Sequence, residues 1–306
     1  MMDTGNTGHL IRSEVWSSQL KEVLEDELMG QGYVNWMSEF PDGTTFTIPS
    51  IGQAQTDDYT ENASVQYRAL DTGQFQFTIG KYKSSGNYIT NKAKQDAYYM
   101  NQLVSSFVPK QARAIMETLE TDIMALSAKQ TASTANSVNG ASHRFVGTGT
   151  NEVIAVADFA KARYALKKAN VPDRNLIAIV DPSVEFAMNT LTNITNVSNN
   201  PRWEGIITSG IASGMSFLAN IYGFDVYTSN YLADANEQID SAGPTTAAGK
   251  ANMFFSADPS VLPFIGAWRQ MPQVDSEYNK DYQREEYVTT ARYGVDLYRP
   301  ENLVCV

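Results

Sequence analysis

Residues 159–188 read FAKARYALKKANVPDRNLIAIVDPSVEFAM. Phe159, Ala162, Ala165, Leu166 and Ala169 recur at three- and four-residue intervals, which puts them on one face of a helix over 156–169. Asn170-Val171-Pro172-Asp173 supplies a turn, because proline fixes φ and removes an amide while Asn and Asp suit turn geometry. The apolar run Leu176 to Val180 predicts a strand, and Asp181 with Pro182 opens a second helix as N-cap and first helical residue. Helix, turn, strand and helix in this order indicate an α/β domain.

Working outward, residues 13–29 place Val15, Trp16, Leu20, Val23, Leu24 and Leu28 at helical spacing among five acids, and Gly30 ends that pattern. Alternating runs follow at 44–49 and 65–69, then through Phe75, Phe77 and Ile79, with a turn signal at Asp71-Thr72-Gly73. Together they predict an extended hairpin over 44–83. Helix formers dominate 91–130, with Ala112, Ile115, Met116, Leu119, Ile123 and Leu126 in one stripe. Pro109 predicts a kink, or a fresh helix start there. Residues 128–150 are rich in Ser, Thr, Ala, Asn and Gly and read as a linker.

Beyond the α/β segment, 201–209 reads as a short helix, 224–228 and 253–256 as strands, and 233–250 as a polar loop. The chain closes on extended runs at 268–275 and 287–298, the second with Tyr287, Thr289, Ala291, Tyr293, Val295 and Leu297 on one face. No internal repeat is present.

The 306 residues carry 23 Lys and Arg against 34 Asp and Glu, a formal charge of −11, which argues against a dedicated nucleic-acid binder. One cysteine, Cys305, and two histidines, His9 and His143, leave no disulfide framework and no histidine-rich metal centre. No apolar run approaches the roughly 18 residues of a membrane span, and the first residues lack a secretory signal pattern. A soluble protein folding in a cytoplasm is expected, with no membrane partner and no cofactor.

Catalytic constellations are sparse. The phosphate-loop, GxGxxG and HExxH patterns are absent, and Gly147-Thr148-Gly149 reads as plain loop. A Ser-His-Asp triad would need His9 or His143, both in segments that read as poorly held. Asp275, Glu277, Asp281, Glu285 and Glu286 could hold the two carboxylates of a hydrolase, but with Lys280 and Arg284 interleaved they read as a solvated or intersubunit face. Lys161, Arg163, Lys167 and Lys168 give the helix over 156–169 a basic outer face, ordinary for an amphipathic helix in an acidic chain.

The informative feature is the hairpin. An isolated two-stranded hairpin is marginal in water, and this one displays Phe46, Ile48, Tyr67, Phe75, Phe77, Ile79 and Tyr82. Their cover comes either from the long helix of the same chain or from a neighbouring subunit. In the second case about 500 Å² of apolar surface would contribute on the order of 10 kcal/mol before entropic costs.

The order acidic helix, hairpin arm, long helix, linker, α/β domain and closing strands resembles the major capsid proteins of tailed bacteriophages of the Hong Kong 97 type. The similarity rests on FTIPSIGQAQTDDYTENASVQYRALDTGQF at 46–75, ITNKAKQDAYYMNQ at 89–102, ALSAKQ at 125–130, the 159–188 stretch, NIYGFDVYTSNYL at 220–232 and ARYGVDLYRPENLVCV at 291–306. It implies an α+β, Hong Kong 97-like capsid fold: an N-terminal arm at 1–43, an extended hairpin loop at 44–90, a peripheral domain with a spine helix at 91–150 and 266–306, and an α/β axial domain at 151–265. It implies a structural protein, not an enzyme, forming pentamers and hexamers of an icosahedral shell around double-stranded DNA. The partners implied are other copies of the chain, a scaffolding protein, a portal protein, decoration proteins and weakly held packaged DNA, in a virion assembled in the host cytoplasm. An encapsulin-type nanocompartment is the alternative use of the same fold.

Two departures from the family pattern stand out. No long scaffold-like extension precedes the arm, so a separate scaffold is expected. Lys81 and Lys83 lie in the arm, but no motif marks an acceptor asparagine and no cross-link is expected. The intersubunit contacts expected are Phe46, Asp58, Glu61, Arg68, Phe75, Phe77, Lys81 and Lys83 on the arm, with Glu117 and Asp122 on the spine helix.

Overall fold

The computed structural model describes residues 28–38, 43, 45–51, 56, 58, 61–62, 64, 67, 69, 72–96, 100–129, 137–149, 152–189, 217–235 and 249–306. In chain order the elements are β1 (Val34–Met37), β2 (Thr45–Ile51), β3 (Thr72–Thr78), β4 (Lys81–Thr90), α1 (Asn91–Asp96), α2 (Met100–Met124), β5 (Ser137–Val138) and β6 (Ala141–Ser142). There follow α3 (Val156–Lys168), β7 (Leu176–Val180), α4 (Pro182–Asn189), β8 (Phe217–Ile221), β9 (Phe224–Thr228), β10 (Asp234–Ala235), β11 (Gly249–Lys250), β12 (Met253–Ser256), β13 (Phe264–Asn279), β14 (Arg284–Leu297) and β15 (Leu303–Cys305).

A five-stranded sheet in the order β15-β12-β7-β9-β8 is built around the predicted strand β7, which pairs in parallel with β9 and antiparallel with β12. Strand periodicity sends Ala178 and Val180 to one face, where they meet Phe159, Ala162, Ala165 and Leu166 of α3 together with Phe224 and Phe254. Ile177 and Ile179 point the other way, into a cluster with Met253, Phe255 and Leu303. Both faces are covered, hence the unbroken LIAIV run. Asp181 caps α4 as expected, accepting the Ser183 N–H at 2.9 Å. Asn170, with φ 61°, turns the chain out of α3.

The second sheet has four strands in the order β1-β13-β14-β4 and is carried by the long antiparallel β13–β14 pair. The predicted face of β14 is inward, with Thr289, Ala291, Tyr293 and Val295 buried. α2 packs on it: the Thr289 hydroxyl lies 3.1 Å from Gln111 Oε1, and the Tyr293 hydroxyl donates to Asp122 Oδ2 at 2.7 Å. Buried Glu120 of α2 accepts the Gly30 N–H at 2.7 Å and the Met29 N–H at 3.2 Å, which fixes the chain just before β1. Leu119, Ile123 and Met124 share the cluster that also holds Ile179, Phe255, Tyr293 and Val295, so one core joins the two sheets.

Several expectations change. The hairpin is β2 paired with β3, Phe46 opposite Phe77 and Ile51 opposite Thr72. Thr72 and Gly73 are therefore strand residues, not a turn, and Tyr67 and Ala69 lie in no strand. β4 leaves the hairpin to become the edge of the long sheet. α2 runs through Pro109 in place of starting there. The segment 137–149 is not a bare linker: β5 and β6 form a small hairpin around Asn139-Gly140, and His143, Arg144 and Phe145 are buried against the chain's end. Cys305 N–H donates to His143 O at 2.9 Å and Phe145 N–H to Cys305 O at 3.2 Å. The sequence missed this because the pairing partner lies about 160 residues away. For the same reason β15 joins the five-stranded sheet and not the long one with β13 and β14. The helices expected at 13–29 and 201–209 lie outside the described residues, save Leu28 and Met29, which are not helical.

Candidate intersubunit surfaces

The arm emerges from a socket in its own chain. Phe77 has no exposed surface and Ile79 almost none, and both pack on Ile265 and Ala267. Gly294 allows the approach: a Cβ there would lie 2.9 Å from Thr78 O, 3.0 Å from Ile79 Cα and 3.1 Å from Phe77 Cζ. The apolar cover for Phe77 thus comes from within the subunit, which leaves that side chain no surface for a neighbour. Phe46 and Ile48 are only partly covered, and the Phe75 ring meets Tyr298 edge-on at 5.2 Å between centroids.

Of the predicted charged contacts, the structure brings Lys81 and Asp122 to each other, with Lys81 Nζ 2.6 Å from Asp122 Oδ1. Tyr293 completes the group, and burial, then its hydrogen bond to Asp122, pushes its phenol far above the ordinary range. Glu117 is held by Arg113 one helical turn away, Nε to Oε1 3.2 Å. Lys83 is partly buried on β4, Asp58 and Glu61 are exposed, and Arg68 lies outside the described residues. Tyr293 and Gly294 were not among the contacts expected from the sequence; the tyrosine on the inward face of a predicted strand was the available signal.

The face of the long sheet turned away from α2 is rich in exposed aromatic surface. Tyr82 and Tyr88 of β4 and Val288 of β14 are exposed there, and Tyr282 is exposed in the turn between β13 and β14. The Arg284 guanidinium sits 4.5 Å from the Tyr88 ring centre and 4.7 Å from that of Tyr282, and its Nε donates to Glu286 at 2.6 Å.

The alternative chemistries fare differently. Glu285 pairs with Lys94 at 2.5 Å and accepts from the Tyr287 hydroxyl at 3.1 Å; Asn279 Nδ2 donates to Glu286 at 3.1 Å. Hydrogen bonds from Lys94 and Arg284 hold these two carboxyls below their usual range, the opposite of what a general acid needs. Being adjacent on one strand, they point to opposite faces. His143 is wholly buried, with Nδ1 3.1 Å from Ala141 O, and has no access to a substrate.

The basic face of α3 is engaged within the chain. Arg163 and Lys167 pair with Asp173, Lys161 lies 3.9 Å over the Phe145 ring, and Lys168 faces Tyr164. Thr148, from the glycine-flanked loop, donates through both N–H and hydroxyl to buried Asp158. Among the described residues no three His, Cys, Asp or Glu side chains gather as a metal site, and no helix is long and apolar enough to cross a membrane.

The fold as a whole matches solved phage structures. The structure superposes on a Mycobacterium phage Che8 chain with TM-score 0.70 at 16% identity, covering 95% of each chain. It superposes on a chain of the capsid of cyanophage P-SCSP1u with TM-score 0.72 at 14% identity, covering 99% of this chain and 94% of that one. For the mature capsid of bacteriophage PhiM1 the TM-score is 0.68 at 9% identity, with 97% and 91% covered. No curated protein matches the sequence. The family described as phage capsid protein matches residues 74–306, and the chain belongs to that family. Membership makes it a structural protein of a phage capsid.

Proposed function

We propose that this chain is the major building block of an icosahedral viral head, closing as pentamers and hexamers around double-stranded DNA, with the β2–β3 arm of each copy resting on a sister subunit. The observation that carries this is the uneven cover of the arm: Phe77 is enclosed, while Phe46 opposite it and the next pair outward, Ile48 and Phe75, are only partly covered on a two-stranded sheet. Such a sheet is not independently stable in water. Phe46 and Phe75, with Asp58, Glu61, Arg68, Lys83 and Glu117, remain the side chains proposed to meet a neighbour. The N-terminal arm, hairpin loop, spine helix, peripheral and axial parts then take the roles they have in Hong Kong 97-type shells, with a scaffolding protein guiding closure in the host cytoplasm and portal and decoration proteins as further partners. The acidic balance, −11 over the chain, suits a wall along which DNA must move.

Purified protein, alone or with its scaffold, should form megadalton particles by light scattering and electron microscopy, whereas a monomer under every condition refutes the reading. Replacing residues 53–70 by a short Gly/Ser link, which spares Phe77 and Ile79, should leave a folded, soluble subunit that no longer closes shells.

A further inference from the structure

We propose that Asp122 is the positioning residue of the arm, gripping from helix α2 both members of the last rung between β4 and β14 and so fixing the direction in which the hairpin leaves the subunit. The inference rests on the shell function proposed above and adds to it the group that sets the arm's course.

The β4–β14 ladder ends at the pair Lys81 and Tyr293. One residue earlier, at Gly80, a Cβ would meet nothing within 4 Å, so the corner between β3 and β4 is open on that side. A terminal rung next to an open corner is where a ladder frays first. Asp122 stands over this rung with one oxygen for each member: Oδ1 lies 2.6 Å from Lys81 Nζ, and Oδ2 accepts the Tyr293 hydroxyl at 2.7 Å. A carboxylate serving two donors at once is a strong, directional contact. Its side chain is 19% exposed and that of Lys81 35%, so the contact is partly shielded from solvent.

The socket around Phe77 and Ile79 sits on the far side of the same corner. Two anchors bracket Ile79-Gly80. The socket holds the arm's root in place by apolar contact, which is non-directional. The carboxylate grip is the directional anchor, because Lys81, first residue after the corner, meets an Asp122 that the Tyr293 hydroxyl already orients. Lys81 and Asp122 were expected to face other subunits; in this reading they act within one chain, and through it on all contacts the arm makes.

The test compares Asp122→Asn, Lys81→Met, Lys81→Arg and Tyr293→Phe with the wild-type chain. In unassembled subunits, peptide-level hydrogen exchange over 72–84 should quicken about tenfold in Asp122→Asn and Lys81→Met, with exchange in β7 and β12 unchanged, and Lys81→Arg should restore near-native protection. In assembly, Asp122→Asn and Lys81→Met should give particles of mixed diameter or open sheets by electron microscopy, whereas Lys81→Arg should give uniform shells. Unchanged exchange in Asp122→Asn overturns the grip. Faster exchange with normal, uniform shells overturns its positioning role. Should the wild-type chain itself form no particles while exchange shows the grip, the shell function fails, and the arm-positioning role with it, for a reason the exchange data separate from a missing grip.

Discussion

Gly294→Ala and Gly86→Ala should move stability in opposite directions although both glycines lie on neighbouring strands of one sheet. At Gly294 a new methyl carbon would sit 2.9 Å from Thr78 O and 3.0 Å from Ile79 Cα, both backbone atoms that cannot rotate away. Relief requires displacing the β3–β4 corner, and overpacking of this kind costs about 1 to 3 kcal/mol. At Gly86 the nearest atom to a new Cβ is Val288 Cγ2 at 3.6 Å, an ordinary contact. There the loss of unfolded-chain freedom should add about 0.4 to 1 kcal/mol of stability. The gap between the two variants is then roughly 1.5 to 4 kcal/mol, about 2 to 6 °C in melting midpoint for 306 residues at about 2.1 cal/mol/K each. Urea unfolding of unassembled subunits, at constant slope, measures it. Equal midpoints for the two variants would refute the close approach of the arm's root to β14.

Asp158→Ala should destabilise the subunit by about 2 to 4 kcal/mol by chemical denaturation, because its buried carboxylate accepts the Thr148 N–H, the Thr148 hydroxyl and the Ala155 N–H that opens α3. Burial of His143 lowers its imidazole from the ordinary 6.5, so the folded chain favours the neutral ring and the unfolded chain takes up a proton first. Stability from this site is full above pH 6.5 and declines as pH falls towards the lower folded value; thermal scans of His143→Gln between pH 7.5 and 5 should lack that decline. Charge neutralisation by Glu285→Gln and Glu286→Gln should leave the subunit folded by circular dichroism but remove part of the acid-sensitive stability below about pH 4.5, since both carboxyls are held low by cationic partners and lose that benefit when protonated.

Local pattern carried the α/β half. The LIAIV strand, the Asp181 cap and the alternating inward face of β14 all stand where spacing placed them. Each depends on neighbours within a few residues. What pattern could not supply was partner choice between distant segments. β3 and β4 read as one arm because both alternate, yet two residues, Ile79 and Gly80, divide a hairpin strand from a sheet edge. Residues 137–149 read as linker because composition counts side chains, whereas their burial comes from backbone bonds to Cys305. At the arm, the sequence named greasy and charged side chains but could not tell that Phe77, Lys81 and Asp122 find partners at home.

The single core shared by α2, β14 and the five-stranded sheet has a mechanical consequence. Swivelling one half of the body against the other would admit water to a dry, close-packed seam, so the body answers load as a stiff bracket. Curvature in anything built from such brackets has to be taken up by the appendages, and strain applied at a bracket's rim reaches its opposite end undiminished by any internal joint.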